Sequence, residues 1–418
     1  MTARGPLTRS ALLTPIGCAG LIAGLPLYFI LIERADIEKP KMMTATYLAL
    51  WILVAAAGLK GRRSSLLKRP QVLWSYFAFL ALYYVNWSMW PKATPLDELM
   101  WAYSVASAIV PFMLGSSFQS RDLRPFFLAI TALSLGVSAI VLLTYLGGGE
   151  AASGRFLVAD ALNPISQSLV IGYALLIAAA YVLAERRLWP IVVATPVLFL
   201  LALGGSRGPV IALIAAVVAM SMAGRRSWKA LGLTVLLLAA IPFVGMHLPG
   251  EIKDRYLTTE DVSIGGRLDA AEAAVSRWLE YPIFGSGTSG NGDITYAHNM
   301  VLQILMETGL LGLLLFLGLS VPIVWTFMKR VGKEPPSWER VALLGFLVYA
   351  LVEAQVSGTI MAFGPLWMAL GIALGVGAAP ERTAPVRMAR AMGQAFGAGV
   401  AHPSANPALR RIQAGGSA

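Results

Sequence analysis

Apolar stretches long enough to cross a bilayer recur from one end of the sequence to the other, and this recurrence decides the fold class before any single residue does. A hydrocarbon core of about 30 Å is crossed by close to 20 apolar residues in a helix, and we count about twelve such stretches. They are 10–32, 42–59, 72–90, 96–118, 125–147, 163–184, 188–203, 208–224, 228–246, 298–328, 338–357 and 359–379. The chain has 57% apolar and 13% charged residues, and its mean hydropathy of +0.68 rules out a soluble globule. The same apolarity excludes disorder for most of the length. The expectation is an all-α, polytopic membrane protein of about twelve transmembrane helices.

The net charge of +11 would suit nucleic acid or an anionic membrane surface, so the placing of the charges matters. With the N-terminus in the cytoplasm, roughly two-thirds of the Lys and Arg fall in inner loops, the run from Lys60 to Arg69 among them. Topology therefore accounts for the basic balance, and no nucleic acid is required. Both termini are expected inside the cell. The organisation is helices 1–9 over 1–246, an extracytoplasmic insert over 247–297, helices 10–12 over 298–379, and a flexible cytoplasmic tail over 380–418. An insert of about fifty residues is long for a connection, and long loops are usually functional. Within it Leu268, Ala271, Val275 and Leu279 recur at helical spacing opposite Asp269, Glu272, Ser276 and Glu280, which predicts an amphipathic helix ended by Pro282.

Cys18 is the sole cysteine and there are three histidines, too few for a zinc cage or an internal disulfide. Three sites near the expected outer face remain. Gly204 and Gly205 can close one helix, Pro209 fits the first turn of the next, and Arg207 then stands at a helix N-terminus. Free N–H groups, the helix dipole and a guanidinium fork make a phosphate site there; an arginine snorkelling to headgroups is the alternative. Gly265-Gly266-Arg267, leading into the amphipathic helix, repeats the pattern, with a solvated loop arginine as its alternative. His298 opens the tenth span. A helix N-terminus and nearby arginines disfavour the imidazolium, so it should be neutral near pH 7 and able to accept a proton, although lone histidines are more often structural. Asn299, Gln303 and Glu307 share one helical stripe below it. Glu307, nine residues on, is too deep to orient His298, and a buried carboxylate held by a polar neighbour or a helix end is its expected role.

Two patterns mislead. The stretch from Gly285 to Gly290 spells G-x-G-x-x-G, but it follows no strand and opens no βαβ unit. Asp36 and Glu38 could act as an acidic base, yet Glu33, Arg34, Lys39 and Lys41 crowd them as on any solvated loop.

With those residues in hand, the chain resembles the O-antigen ligase and polymerase superfamily of bacterial envelope proteins. The segment from His298 to Gln303 with Glu307, Gly309 and Gly312 is similar to that family's most recognisable stretch, and Ser206-Arg207-Gly208 resembles its arginine motif. Arg267 followed by Trp278, Pro282, Gly285 and Gly287 fits its loop pattern. Arg155 with Asn163-Pro164 resembles the segment before its sixth helix, in an order that departs from the Pro-Asn of the family. The resemblance implies a multi-pass enzyme of the bacterial inner membrane with a periplasmic active site. Its donor would be an undecaprenyl diphosphate-linked glycan and its acceptor a lipid A-core hydroxyl, in a metal-independent, inverting glycosyl transfer without a cofactor. It implies His298 as base, Arg207 and Arg267 as diphosphate ligands, and Arg155, Asn299 and Gln303 as further substrate contacts. One prominent outer loop tilts the reading to ligase over polymerase. A twelve-helix secondary transporter is the competing class, kept open by Glu307 and Glu353 inside apolar spans.

Overall fold

The computed structural model of the protein describes residues 9–34, 40–59, 64–89, 95–148, 156–158, 163–185, 187, 189–223, 232, 246–257, 262–287, 297–333, 337–356 and 359–378. Among them every regular element is a helix. In chain order they are α1 (Arg9–Ala23), α2 (Leu25–Arg34), α3 (Pro40–Ala57), α4 (Pro70–Met89), α5 (Pro95–Ser116), α6 (Leu123–Leu146) and α7 (Pro164–Glu185). There follow α8 (Trp189–Leu203), α9 (Arg207–Ala223), α10 (Gly250–Leu257), α11 (Val262–Glu280), α12 (Met300–Lys333), α13 (Trp338–Val356) and α14 (Gly364–Ala378). The expected span 228–246, all but its residues 232 and 246, lies outside the described residues, as do the tail 380–418, Asp36, Glu38 and Arg155.

Three helical stretches are individually long and apolar enough to cross a membrane: Ser120–Leu146, Pro164–Glu185 and Met300–Val331. The expected first span, 10–32, is instead broken: α1 and α2 meet at 65°. Gly24 lies at the bend and Pro26 has no N–H to continue the ladder. The Tyr47 hydroxyl fills the elbow and donates to the Gly20 carbonyl at 2.9 Å. Shorter apolar helices, among them α9 and α14, complete the bundle.

Small residues let the helices approach closely where lipid-like surroundings give no hydrophobic drive between them. A Cβ on Gly371 would stand 2.4 Å from the Phe112 carbonyl oxygen, and one on Gly115 2.8 Å from the Ile372 nitrogen, so α5 and α14 touch backbone to backbone. Tyr76, Phe79, Phe112 and Phe316 surround the buried Trp367, whose indole N–H donates to the Ile360 carbonyl at 2.7 Å.

The bundle has two unlike ends. Arg69 Nη1 donates to Thr326 Oγ1 late in α12, Arg330 Nη1 donates to the Val376 carbonyl at the end of α14, and Arg121 and Arg124 stand around the start of α6. These arginines therefore gather at one end. The starts of α7, α9, α12 and α14 and the end of α13 lie at the other.

Candidate functional site

The corner between α8 and α9 forms as its residues require. Gly205 takes a φ of 60°, and its N–H donates to the Ala202 carbonyl at 3.0 Å, so the glycine ends α8 in the left-handed conformation that side chains resist. α9 then begins at Arg207 with Pro209 in its first turn. Phe156 N–H donates to the Leu203 carbonyl at 3.1 Å, and the buried Gln167 amide holds the Phe156 carbonyl at 2.9 Å. Asn163 caps α7, its side chain accepting from Ile165 N at 2.8 Å, with Pro164 as the first helical residue.

The α9 N-terminus already faces a carboxyl group. Glu353, fully buried near the end of α13, places its carboxyl oxygens 3.0 and 3.2 Å from where a Cβ on Gly208 would be. Gly208 is thus what admits the carboxylate to the first turn of α9, where the helix dipole favours negative charge. Sequence reasoning places free N–H groups at this turn and sees Glu353 only as a charge inside a span. A glycine directly after the arginine is the one available signal.

The loop from Tyr281 to Gly287 carries the most specific geometry in the molecule. Gly309 has φ 65° and ψ −167°, a conformation essentially confined to glycine, and it breaks α12 one residue after Thr308. The backbone groups freed by the break are taken up by the loop. Leu310 and Leu311 N–H donate to the Pro282 and Ile283 carbonyls at 2.9 and 3.1 Å, while Ser286 and Gly287 N–H donate to the Met306 and Glu307 carbonyls at 2.8 and 3.1 Å. Gly285, with φ 77°, comes so near that a Cβ on it would stand 2.4 Å from the Glu307 carbonyl carbon. Trp278 Nε1 donates to the Pro282 carbonyl at 3.2 Å, and Arg277 Nε to Ser286 Oγ at 2.8 Å. Asn86 of α4 completes the lock, its amide donating to the carbonyls of Phe284 and Glu307. A lone amide in the apolar run Tyr83-Tyr84-Val85-Asn86-Trp87 is its sequence signal.

α11 departs from expectation in two respects. It starts at Val262, so Gly265 and Gly266 lie inside it and Arg267 sits in its second turn, away from the helix start. A glycine costs a helix about 1 kcal/mol, which neighbouring turns can absorb. Leu268 and Leu279 also point away from the bundle, 66% and 64% exposed, while Ala274 packs on Ala297 and Met306. The alanine face allows the close approach that leucines would prevent. The approach brings Arg267 to His298, and its charge acts on the imidazole.

His298 itself has φ 49°, the one positive value outside glycine among the described residues. Strained backbone of this kind clusters at functional positions. Partial burial first, and the Arg267 charge second, hold its pKa below the ordinary histidine value of 6.5. Nδ1 is buried, while the imidazole as a whole is only partly so. Asn299 caps α12, its side chain accepting from Leu302 N at 3.0 Å. Gln303 is buried, with Nε2 donating to Glu307 Oε1 at 3.0 Å and Oε1 accepting from Ile360 N at 3.1 Å. It braces Glu307 and the turn after α13, and the Tyr83 hydroxyl lies beside the same carboxyl.

Arg207, Arg267 and His298 therefore stand at one end of the bundle, the last two near enough for the guanidinium charge to act on the imidazole. None of the curated proteins compared with the chain matches it. Residues 191–317, which run from α8 into α12 and take in Arg207, Arg267, His298 and the Gly285–Gly309 junction, match the O-antigen ligase family model, and this match supports the O-antigen ligase superfamily, whose members are membrane-embedded and glycosyltransferase-like.

Proposed function

We propose that the protein is an O-antigen ligase of the bacterial inner membrane, a bundle of about twelve spans that joins a polysaccharide from undecaprenyl diphosphate to a lipid A-core sugar hydroxyl at the periplasmic face. The observation that carries this reading is a partly buried histidine at the mouth of α12 whose imidazole is kept neutral near pH 7 by burial and by the charge of Arg267. In the reaction the acceptor oxygen bonds to the anomeric carbon as its proton passes to the His298 imidazole. The bond from that carbon to the carrier phosphate breaks, and its electron pair leaves on the diphosphate. Direct displacement inverts the anomeric centre. A diphosphate departs as a stabilised anion, so it needs fixed cations more than a protonating acid, and Arg207 and Arg267 supply them. Asn299 shapes the mouth of α12.

Two further features support the setting. Arginines at the end away from His298 suit a cytoplasmic side, and the outward Leu268, Val275 and Leu279 suit a helix lying at a membrane surface. The test is to incubate the purified protein with a polyprenyl diphosphate glycan and lipid A-core in excess EDTA and to look for a ladder of glycosylated lipid A-core. A ladder supports the whole proposal. Its appearance only after magnesium is restored removes the metal-independent step, and growth of the carrier-bound chain instead identifies a polymerase.

Arg207→Lys is expected to lose most transfer while charge is kept, because an ammonium cannot reproduce bidentate contact with phosphate oxygens. Transfer and thermal midpoint are measured together. Native transfer would reduce Arg207 to an interfacial arginine, and a parallel fall in midpoint would make it a structural partner of the buried α9 corner.

A further inference from the structure

The end of the bundle away from His298 holds a cleft that the proposed transfer does not use. About 270 Å³ in volume, it lies between α6, α7, α8 and α13 and is walled by Leu135, Leu175, Ala178, Val193 and Val197. Arg124, Trp189 and Trp338 stand at one end of it. From Trp338 to Glu353 is fifteen residues of α13, about 22 Å along the axis, so cleft and candidate site are well separated.

We propose that this cleft binds one anionic phospholipid, its acyl chain between the helices and its phosphate on Arg124. Charge and shape agree on the occupant. Arg124 is in the first turn of α6, and Trp189 and Trp338 are the first residues of α8 and α13, so three positive helix ends border the mouth beside a guanidinium. Tyr181 lies 6.0 Å from each of the two tryptophan rings. Such an aromatic group marks headgroup depth on a membrane protein.

The nearby acids do not cancel the charge. The Asp122 carboxylate is engaged by the Gln119 N–H at 2.8 Å, and along the sequence bordering the mouth Asp122, Glu185 and Glu339 stand against Arg121, Arg124, Arg187 and Arg340. Among the described residues no carboxylate is paired with Arg124. On the apolar side Leu128 and Val193 are 52% and 46% exposed on apolar helices. Basic pockets between membrane helices take acidic lipid headgroups for these reasons.

The experiment is native mass spectrometry of the full-length protein in detergent, titrated with phosphatidylglycerol or with phosphatidylcholine of the same acyl chains. One retained phosphatidylglycerol is expected, in preference to phosphatidylcholine. Arg124→Gln should cut that preference about fivefold, the equivalent of roughly 1 kcal/mol per cation at a membrane surface. Arg124→Lys should keep most of it, and Ala178→Phe, which fills the cleft, should remove the bound lipid whatever its headgroup. Equal retention of both lipids, an unchanged preference in Arg124→Gln, or a protein dimer dissolved by Ala178→Phe would each overturn the proposal. Where Ala178→Phe does not fold, the rise in thermal midpoint with each lipid, compared between native protein and the Arg124 variants, decides the same question. Transfer activity plays no part in this test, so it stands apart from the ligase reading.

Discussion

His298→Ala is expected to give a folded protein that still binds the lipid-linked donor and transfers about 10² to 10⁴ times more slowly, the usual loss of a general base. Binding falls to the arginines and deprotonation to the imidazole, so the turnover number should collapse while donor affinity holds. Alanine at φ 49° adds backbone strain of about 1–2 kcal/mol, which His298→Asn largely avoids because asparagine tolerates that region. The two variants should be equally slow if the ring is the base; recovery in the asparagine variant would mean that only the backbone bend matters. The pH profile adds a second readout. Only neutral histidine accepts a proton, so the native rate must fall as pH drops through the His298 titration. Burial and Arg267 both lower that pKa, which puts the limb on the acid side of 6.5 and leaves the rate flat near neutrality. Arg267→Gln removes one of the two causes and should move the limb to higher pH. In His298→Asn the limb should vanish, and its persistence there would assign the base to another group.

The parts of the molecule that sequence made legible are those written in one stretch of chain. The turn Gly204-Gly205 and the start of α9 at Arg207 follow from glycine and proline chemistry alone, and the structure keeps them. Burial of Glu307 beside a polar neighbour was equally readable, because an ionised group inside an apolar span must find a partner. What stayed hidden depends on segments far apart in sequence. Glu353 reaches Gly208 across nearly the length of a domain, and Asn86 reaches Glu307 in the same way. The periodicity of α11 gave the helix but not its orientation, since a bilayer and a protein core both accept leucine. Only the contact of Ala274 with Met306 decides between them.

Gly309→Ala should be the most damaging single-methyl change in the protein. The residue needs a φ and ψ that side chains avoid, and a Cβ there would stand 2.3 Å from the Ile283 carbonyl oxygen and 2.6 Å from the Gly285 nitrogen. Those are backbone atoms of the locking loop, which cannot swing aside as a side chain can. If α12 instead straightened through residue 309, Leu310 and Leu311 would withdraw their N–H groups from Pro282 and Ile283. Strain of about 1–3 kcal/mol and overpacking of about 1–3 kcal/mol together remove a large part of a typical protein's stability of about 5–15 kcal/mol. Gly285→Ala presses on the same junction from the loop side, and the double variant should cost less than the sum, because a lock already opened cannot be opened again. Gly136→Ala is the control: nothing lies within 4 Å of its added methyl in α6, so stability should hold or rise slightly. Denaturation of the detergent-solubilised variants measures the stability. The fraction that remains folded carries the functional consequence, since release of the loop lets α11 draw Arg267 away from His298. Its acid limb should then move toward higher pH, as in Arg267→Gln. Native stability with an unchanged limb in Gly309→Ala would show that the break in α12 neither locks the loop nor sets the distance between the cation and the base.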